Sequence, residues 1–179
     1  SISDSKALDA FEIVYGIRAL PTYDFSAADY IVSLSADFLG DWQGGDHDSG
    51  YVKGRIPDRN KDGKASMSKH VQLESNMSIT GANADIRIPL TQYQQKIALA
   101  KIYGYVSGTE VGGTLPTNIE KSLKKISNNL LSAGSKGLLV TGIDDVDAHI
   151  IANEINDLLK SEAFKKDEVS LIKSSKDQE

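Results

Sequence analysis

His70-Val71-Gln72-Leu73-Glu74-Ser75-Asn76-Met77-Ser78-Ile79-Thr80-Gly81-Ala82-Asn83-Ala84-Asp85-Ile86-Arg87-Ile88-Pro89-Leu90 decides the fold. The stretch opens as a short apolar strand, reaches a polar crest at Glu74, and returns through Ala84 and Asp85 to a second extended run. Strand, polar crest, short crossover and strand is the way an open α/β sheet presents a loop to a ligand at its carboxyl edge.

The flanking sequence repeats that alternation. Ala7, Leu8, Phe11, Val14 and Tyr15 fall at helical spacing over residues 4–15, with Gly16 as the stop. Residues 19–25 read as an extended connector because Leu20 precedes a proline. Residues 26–29 make a brief helical turn, and residues 30–36 a strand whose first half is continuously apolar, as in a sheet covered on both faces. Residues 37–69 form a long irregular stretch rich in Gly, Asp, Ser and Lys, readable as a docking surface or as a surface insertion. After the second strand (70–73) and a short third (86–88), helices are predicted over 92–106, 118–133 and 145–159. A buried strand lies at 137–142, a short one at 169–172, and a disordered charged tail at 174–179.

This order of strands and helices predicts a three-layer, Rossmann-like α/β domain with a mainly parallel sheet. One domain spans residues 1–173, with a break at 108–116 that allows sub-lobes at 1–107 and 114–173. The 179 residues suffice for one sizeable core. A net charge of −5 and an aromatic content of 7% argue against nucleic acid as a partner. The absence of cysteine removes disulfides, thiol nucleophiles and cysteine-bound iron–sulfur clusters from this chain. No apolar run approaches the roughly 20 residues of a membrane helix, so no direct membrane insertion is expected. Residues 1–4 do not resemble a signal peptide, and a start without Met reads as a processed or excised segment.

Several motifs are incomplete. Residues 58–63 alternate Asp, Asn and Asp before Gly as a calcium loop does, but the twelfth position is Lys69, a cation. Asp46, His47 and Asp48 are adjacent in sequence, and adjacent residues rarely converge on one metal. His70 and His149 show no partner in sequence and read as surface or hydrogen-bonded histidines. Neither a nucleophile elbow, a zincin helix nor a phosphate loop occurs, and Gly40 with Gly44 and Gly45 lacks the dinucleotide spacing.

Two loops remain as candidates. One follows the first strand and carries Asp37, Gly40, Asp41 and Trp42; the other follows the second and carries Glu74, Ser75, Asn76 and Ser78. With the two strands adjacent and parallel, both loops face the carboxyl edge. Glu74 either accepts hydrogen bonds from ribose hydroxyls or a guanine edge, or caps the turn that follows.

Residues 27–33 with the 70–90 segment resemble the third domain of the molybdopterin oxidoreductases. Residues 16–25, 36–42, 67–85 and 136–142 are similar to the iron–sulfur, molybdopterin-like large subunit of alternative complex III, a bacterial respiratory quinol:electron-acceptor oxidoreductase. The resemblance implies that Asp37, Gly40, Glu74, Ser75, Asn76 and Ser78 stand where guanosine ends of a pterin cofactor are held. Ser75 and Asn76 replace a Pro-Arg pair and Thr91 to Gln95 replace a glycine-bearing stretch, removing charge-assisted phosphate contacts of roughly 1.5–3 kcal/mol each.

On that resemblance the chain is a structural, cofactor-free and non-catalytic domain of an electron-transport subunit. It implies iron–sulfur clusters elsewhere in a parent chain, other respiratory subunits as partners, no metal here, and a peripheral, periplasmic location. A molybdopterin guanine dinucleotide-binding domain of an active molybdoenzyme is the first alternative. A free-standing nucleotide-binding α/β protein is the second.

Overall fold

A computed structural model of the chain describes residues 4–59 and 65–170. The chain opens with α1 (Ser5–Tyr15), which ends on Gly16 in the left-handed conformation, and β1 (Leu20–Tyr23). A 3₁₀ turn (Phe25–Ala27) leads into β2 (Tyr30–Leu34). A second 3₁₀ turn (Trp42–Gly44), α2 (Asp48–Arg55) and the short strands β3 (Asp58–Arg59) and β4 (Ala65–Ser66) follow. Next come β5 (Lys69–Glu74), α3 (Ile79–Ala82), β6 (Ile86–Pro89) and α4 (Gln92–Ser107). The chain continues with α5 (Thr117–Ala133), β7 (Gly137–Thr141), α6 (Val146–Leu159) and β8 (Phe164–Ser170).

Four strands form one parallel sheet in the order β6-β5-β2-β7. On one face Val32, Leu34, Val71, Leu73 and Leu139 pack against Leu99 and Ile102 of α4, Leu123 and Leu130 of α5, and Ile155 of α6. On the other face Ile31, Leu138 and Val140 meet an aromatic layer of Phe11, Phe25, Phe38, Tyr51 and Phe164. The result is the three-layer α/β arrangement that the alternation of elements predicts. Residues on both sides of the 108–116 break share this sheet and the first of these cores.

The structure adds elements that the sequence reading lacks. Residues 20–23, read as a connector, form a strand paired antiparallel with β8. The stretch read as irregular contains α2, of which only Tyr51 is buried, and the two-stranded pair of β3 and β4. The calcium-like pattern at 58–63, the end of the predicted 169–172 strand and the 174–179 tail fall wholly or partly outside the described residues.

From β2 the chain steps outward to β5 and β6, then crosses back to place β7 on the other side of β2. The order therefore reverses between β2 and β7, the switch point where open α/β sheets form a crevice. Among the described residues no fifth strand continues beyond β7, and side chains satisfy its outer edge. Asn156 accepts from Leu139 N at 2.9 Å and donates to Leu139 O at 2.8 Å. Ser161 Oγ donates to Gly137 O at 2.5 Å and Trp42 Nε1 to Thr141 O at 3.1 Å.

Candidate functional site

Four loops leave the carboxyl edge of the sheet, and hydrogen bonds stitch them together. Ser35, at φ 55° in the left-handed region, ends β2; its N–H donates to Leu73 O at 2.9 Å. Gly142, which follows β7, donates its N–H to Leu34 O at 2.8 Å. A Cβ on Gly142 would lie 2.2 Å from Ser35 O, so this close approach requires glycine. From α4 the buried Gln95 accepts from Ser35 Oγ at 2.6 Å and donates to Ser75 Oγ at 3.0 Å and Leu90 O at 3.1 Å. One amide thus ties together the loops after β2, β5 and β6.

The sequence candidates take specific places in this frame. Asp37 Oδ1 accepts from Thr80 N at 3.0 Å and Thr80 Oγ1 at 2.6 Å, which fastens the β2 loop to α3. Gly40 closes the turn by donating its N–H to Asp37 O at 2.9 Å; a Cβ there would come within 2.6 Å of Asp37 Oδ2. Glu74 is buried and accepts from Arg87 Nε at 2.8 Å, Ser78 Oγ at 2.7 Å, Ser78 N at 3.2 Å and Gln72 Nε2 at 3.1 Å. Burial raises its pKa, but the bonds from Arg87, Ser78 and Gln72 outweigh that and hold it below the ordinary carboxylate value. Ser78 in turn caps α3 by accepting from Gly81 N at 2.9 Å. Ser75 and Asn76 stand exposed at the rim.

Behind Glu74 a line of buried polar groups crosses the aromatic face of the sheet. Tyr51 Oη lies 3.1 Å from His70 Nδ1, and His70 Nε2 lies 3.0 Å from Gln72 Oε1. Because the Gln72 amide nitrogen faces the Glu74 carboxylate, its oxygen faces His70 and requires a proton on Nε2. Nδ1 is then the acceptor, and Tyr51 shares its one proton between Nδ1 and Asn83 O, also at 3.1 Å. Burial pushes the His70 pKa down to about 4, so the ring is neutral at pH 7.

The loops enclose a two-lobed cleft. The large lobe, about 640 Å³, lies beside the β5 and α4 side and is lined by Ser35, Glu74, Ser75, Asn76, Ser78, Gln92, Gln95, Lys96 and Asp144. The small lobe, about 50 Å³, sits over the switch point and is lined by Asp4, Lys6, Asp37, Asp41, Trp42, Gln43, Asp144 and His149. Ser35, Gly142, Ile143 and Asp144 form the wall common to both. Trp42, Asp37 and the 74–78 group were visible as candidates in the sequence. Ser35, Gln95, Gly142, Asp144 and His149 were missed; the only signal was the position of Ser35 and Gly142 at the ends of the strands predicted at 30–36 and 137–142, which the structure closes just before them, at Leu34 and Thr141.

The helices that begin beside the large lobe, α3, α4 and α6, have side chains on their first amides, whereas α1, which begins at the small lobe, has no capping bond from its N-cap residue Asp4. Thr91 and Gln94 form a reciprocal capping box on α4, with bonds of 3.2 and 3.0 Å. Asp145 accepts from Asp147 N at 2.9 Å and Ala148 N at 3.4 Å at the start of α6, and also pairs with Lys96. An incoming phosphate in the large lobe would have to displace these groups to reach the N-terminus of α3, α4 or α6. Among the described residues, no group of three or more His, Asp and Glu side chains is placed to hold a metal ion.

Fold and site together define a Rossmann-like α/β domain with a polar cleft at its switch point. No protein-family model and no curated protein matches the chain. Among solved structures it is similar to a chain of the formyltransferase/hydrolase complex (FhcABCD) from Methylorubrum extorquens, determined in complex with methylofuran. The TM-score is 0.55 at 13% identity over 90% of this chain, and the match spans only 42% of that neighbour's length. At this identity the likeness is one of fold.

These findings overturn the resemblance to molybdopterin oxidoreductases and to alternative complex III. The structural neighbour is a formyltransferase/hydrolase component, and no family match supports a respiratory electron-transport role. The physical reason lies in the 70–90 segment. Its acidic residue and small polar crest are used internally, as Glu74 binds Arg87 and Ser78 caps α3, so the motif reflects how this sheet edge is built. The readings that depended on that resemblance, as a cofactor-free respiratory scaffold or as a pterin dinucleotide domain, fall with it. The iron–sulfur clusters, respiratory partners and periplasmic location lose the argument that introduced them. Among the described residues no helix is long and apolar enough to cross a membrane.

Proposed function

We propose that this chain is a ligand-binding α/β domain whose switch-point cleft takes a small hydroxyl- or amide-bearing organic molecule. One observation carries the reading. The large lobe is lined mainly by neutral hydroxyl and amide side chains and the helix N-termini around it are capped; of its charged groups Glu74 and Lys96 are paired within the protein, and the exposed Asp144 adds a negative charge that repels phosphate. Such a lining recognises a ligand through paired donors and acceptors of fixed geometry and gives no cradle for a phosphate.

A place in a larger assembly is part of the proposal. It is supported by the neighbour's belonging to a complex. Thermal-shift titration with guanosine, adenosine, GMP, GDP and NADH tests the ligand class. A neutral nucleoside is expected to raise the melting temperature at least as much as its phosphorylated form. A clearly larger rise with GDP or NADH would contradict the proposal.

A further inference from the structure

Four buried side chains behind the cleft, Glu74, Gln72, His70 and Tyr51, form a line in which every hydrogen bond donates toward Glu74. Tyr51 Oη donates to Nδ1 of the neutral His70 ring, His70 Nε2 to Gln72 Oε1, and Gln72 Nε2 to the Glu74 carboxylate. The direction is imposed from one end. Glu74 is ionised and can only accept, so it takes the amide N–H of Gln72, and each later group follows. Tyr51, at the far end, must divide its one proton between His70 Nδ1 and Asn83 O, both at 3.1 Å.

The same groups can satisfy one another in the opposite direction. A donor in place of the Glu74 carboxylate makes Gln72 turn its oxygen toward residue 74 and its N–H toward His70 Nε2. The ring then carries its proton on Nδ1 and donates to Tyr51 Oη, and the Tyr51 proton goes to Asn83 O alone. One proton leaves Nε2 and one joins Nδ1, so the ring stays neutral. The turned amide gives up a long 3.4 Å bond to Ala36 O, which keeps Ser33 Oγ as a donor at 3.1 Å. The reversal is felt at α2, because Tyr51 is the one buried residue of that helix. In the first direction Tyr51 shares a single proton between two acceptors; in the second it makes two full bonds.

We infer that this line is a two-state relay, in which the charge on Glu74 at the cleft sets the His70 tautomer and how firmly α2 is held. It takes from the cleft reading only the place of Glu74 in the large lobe. A ligand that drew Arg87 away would leave a buried carboxylate, which takes up a proton from solvent and becomes the donor. The charged groups at the other end, Arg55 of α2 and Asp85, pair with each other, and Asp85 accepts from the His70 main-chain N–H at 2.7 Å. These bonds are the same in both directions.

Glu74→Gln tests the relay without added ligand. Arg87 Nε and Ser78 N both donate to Oε1, at 2.8 and 3.2 Å, which holds the new amide oxygen there and aims its nitrogen at Gln72. Two-bond ¹H–¹⁵N spectra read the ring directly. The parent protein is expected to hold His70 protonated at Nε2, and Glu74→Gln at Nδ1. Hydrogen exchange of the α2 amides should slow by about two- to tenfold, the worth of part of one hydrogen bond, whereas simple loss of the Glu74 ion pair would speed it. Ser78→Ala removes a neighbour of Glu74 but not its charge, so there His70 should stay protonated at Nε2. A parent ring protonated at Nδ1 overturns the inference, and that measurement needs no variant to fold. A Glu74→Gln ring still protonated at Nε2, a switched ring in Ser78→Ala, or α2 exchange that is unchanged or faster in Glu74→Gln overturns it equally. Each of these results leaves the ligand reading of the cleft standing, and failure of the ligand titrations leaves the relay standing.

Discussion

Ser35 and Gly142 touch backbone to backbone at the point where the strand order reverses, with room for no atom beyond the Gly142 Cα. Gly142→Ala would set a Cβ 2.2 Å from a carbonyl oxygen that belongs to the main chain and cannot rotate away. The expected cost is about 1–3 kcal/mol, as for other overpacked sites. For a domain of this size that lowers the melting temperature by several degrees. Scanning calorimetry checks it; an unchanged melting temperature would mean that the two loops part freely.

Asn156 satisfies the outer edge of β7 as a neighbouring strand would, bonding both the N–H and the C=O of Leu139. Asn156→Leu keeps the volume but leaves the N–H and C=O of Leu139 buried without partners. Each orphaned group costs about 1–3 kcal/mol, so urea denaturation should show a loss of about 2–5 kcal/mol. A loss under about 1 kcal/mol would indicate that the β7 edge finds water instead.

Arg87 is the cation on which the buried Glu74 depends, and their side chains are 21% and 3% exposed. Arg87→Met leaves the carboxylate with neutral donors only, at a cost of about 2–4 kcal/mol near neutral pH. Without the guanidinium, burial raises the Glu74 pKa, and protonation relieves the variant. The stability gap to the parent protein should therefore narrow as the pH falls. A gap constant with pH would show that the ion pair contributes nothing.

His70 and His149 both have pKa values pushed down to about 4 by burial. The unfolded chain takes up protons near pH 6.5 that the folded chain refuses until about pH 4. Stability from these residues is therefore complete above about pH 6.5 and is lost as the pH falls toward 4, by at most about 3 kcal/mol for each. Denaturant titrations across this range should give a falling curve, and His149→Gln should reduce the slope by about one proton. A flat profile would contradict the assignment of both rings as buried and neutral.

Much of the frame was readable in the sequence for definite reasons. The 118–133 and 145–159 helices carry apolar residues at helical spacing, and the strands at 30–34 and 137–141 carry the unbroken apolar runs Tyr30-Ile31-Val32 and Leu138-Leu139-Val140, so the sequence pattern places them. By contrast, α2 buries only Tyr51 and contains Gly50 and Gly54, which leaves no pattern to detect. At β1 the dipeptide Leu20-Pro21 suggests a connector; its strand character comes from a partner, β8, far away in sequence.

The candidate site divides the same way. Asp37, Glu74 and Ser78 stand at strand ends and are conspicuous, yet each is engaged within the protein. Gln95 looks like a solvent-facing helix residue until the tertiary fold carries it under three loops. Asp144 and His149 come to the cleft only because β7 lies beside β2.

The most direct test of the central claim is a ¹H–¹⁵N chemical-shift map with guanosine and GDP. The sole tryptophan, Trp42, serves as an internal reporter beside the cleft. Guanosine is expected to move the signals of Ser35, Ser75, Gln95 and Gly142, and GDP to bind no tighter. Shifts confined to another surface, or tighter binding of GDP through the start of α4 or α6, would contradict it.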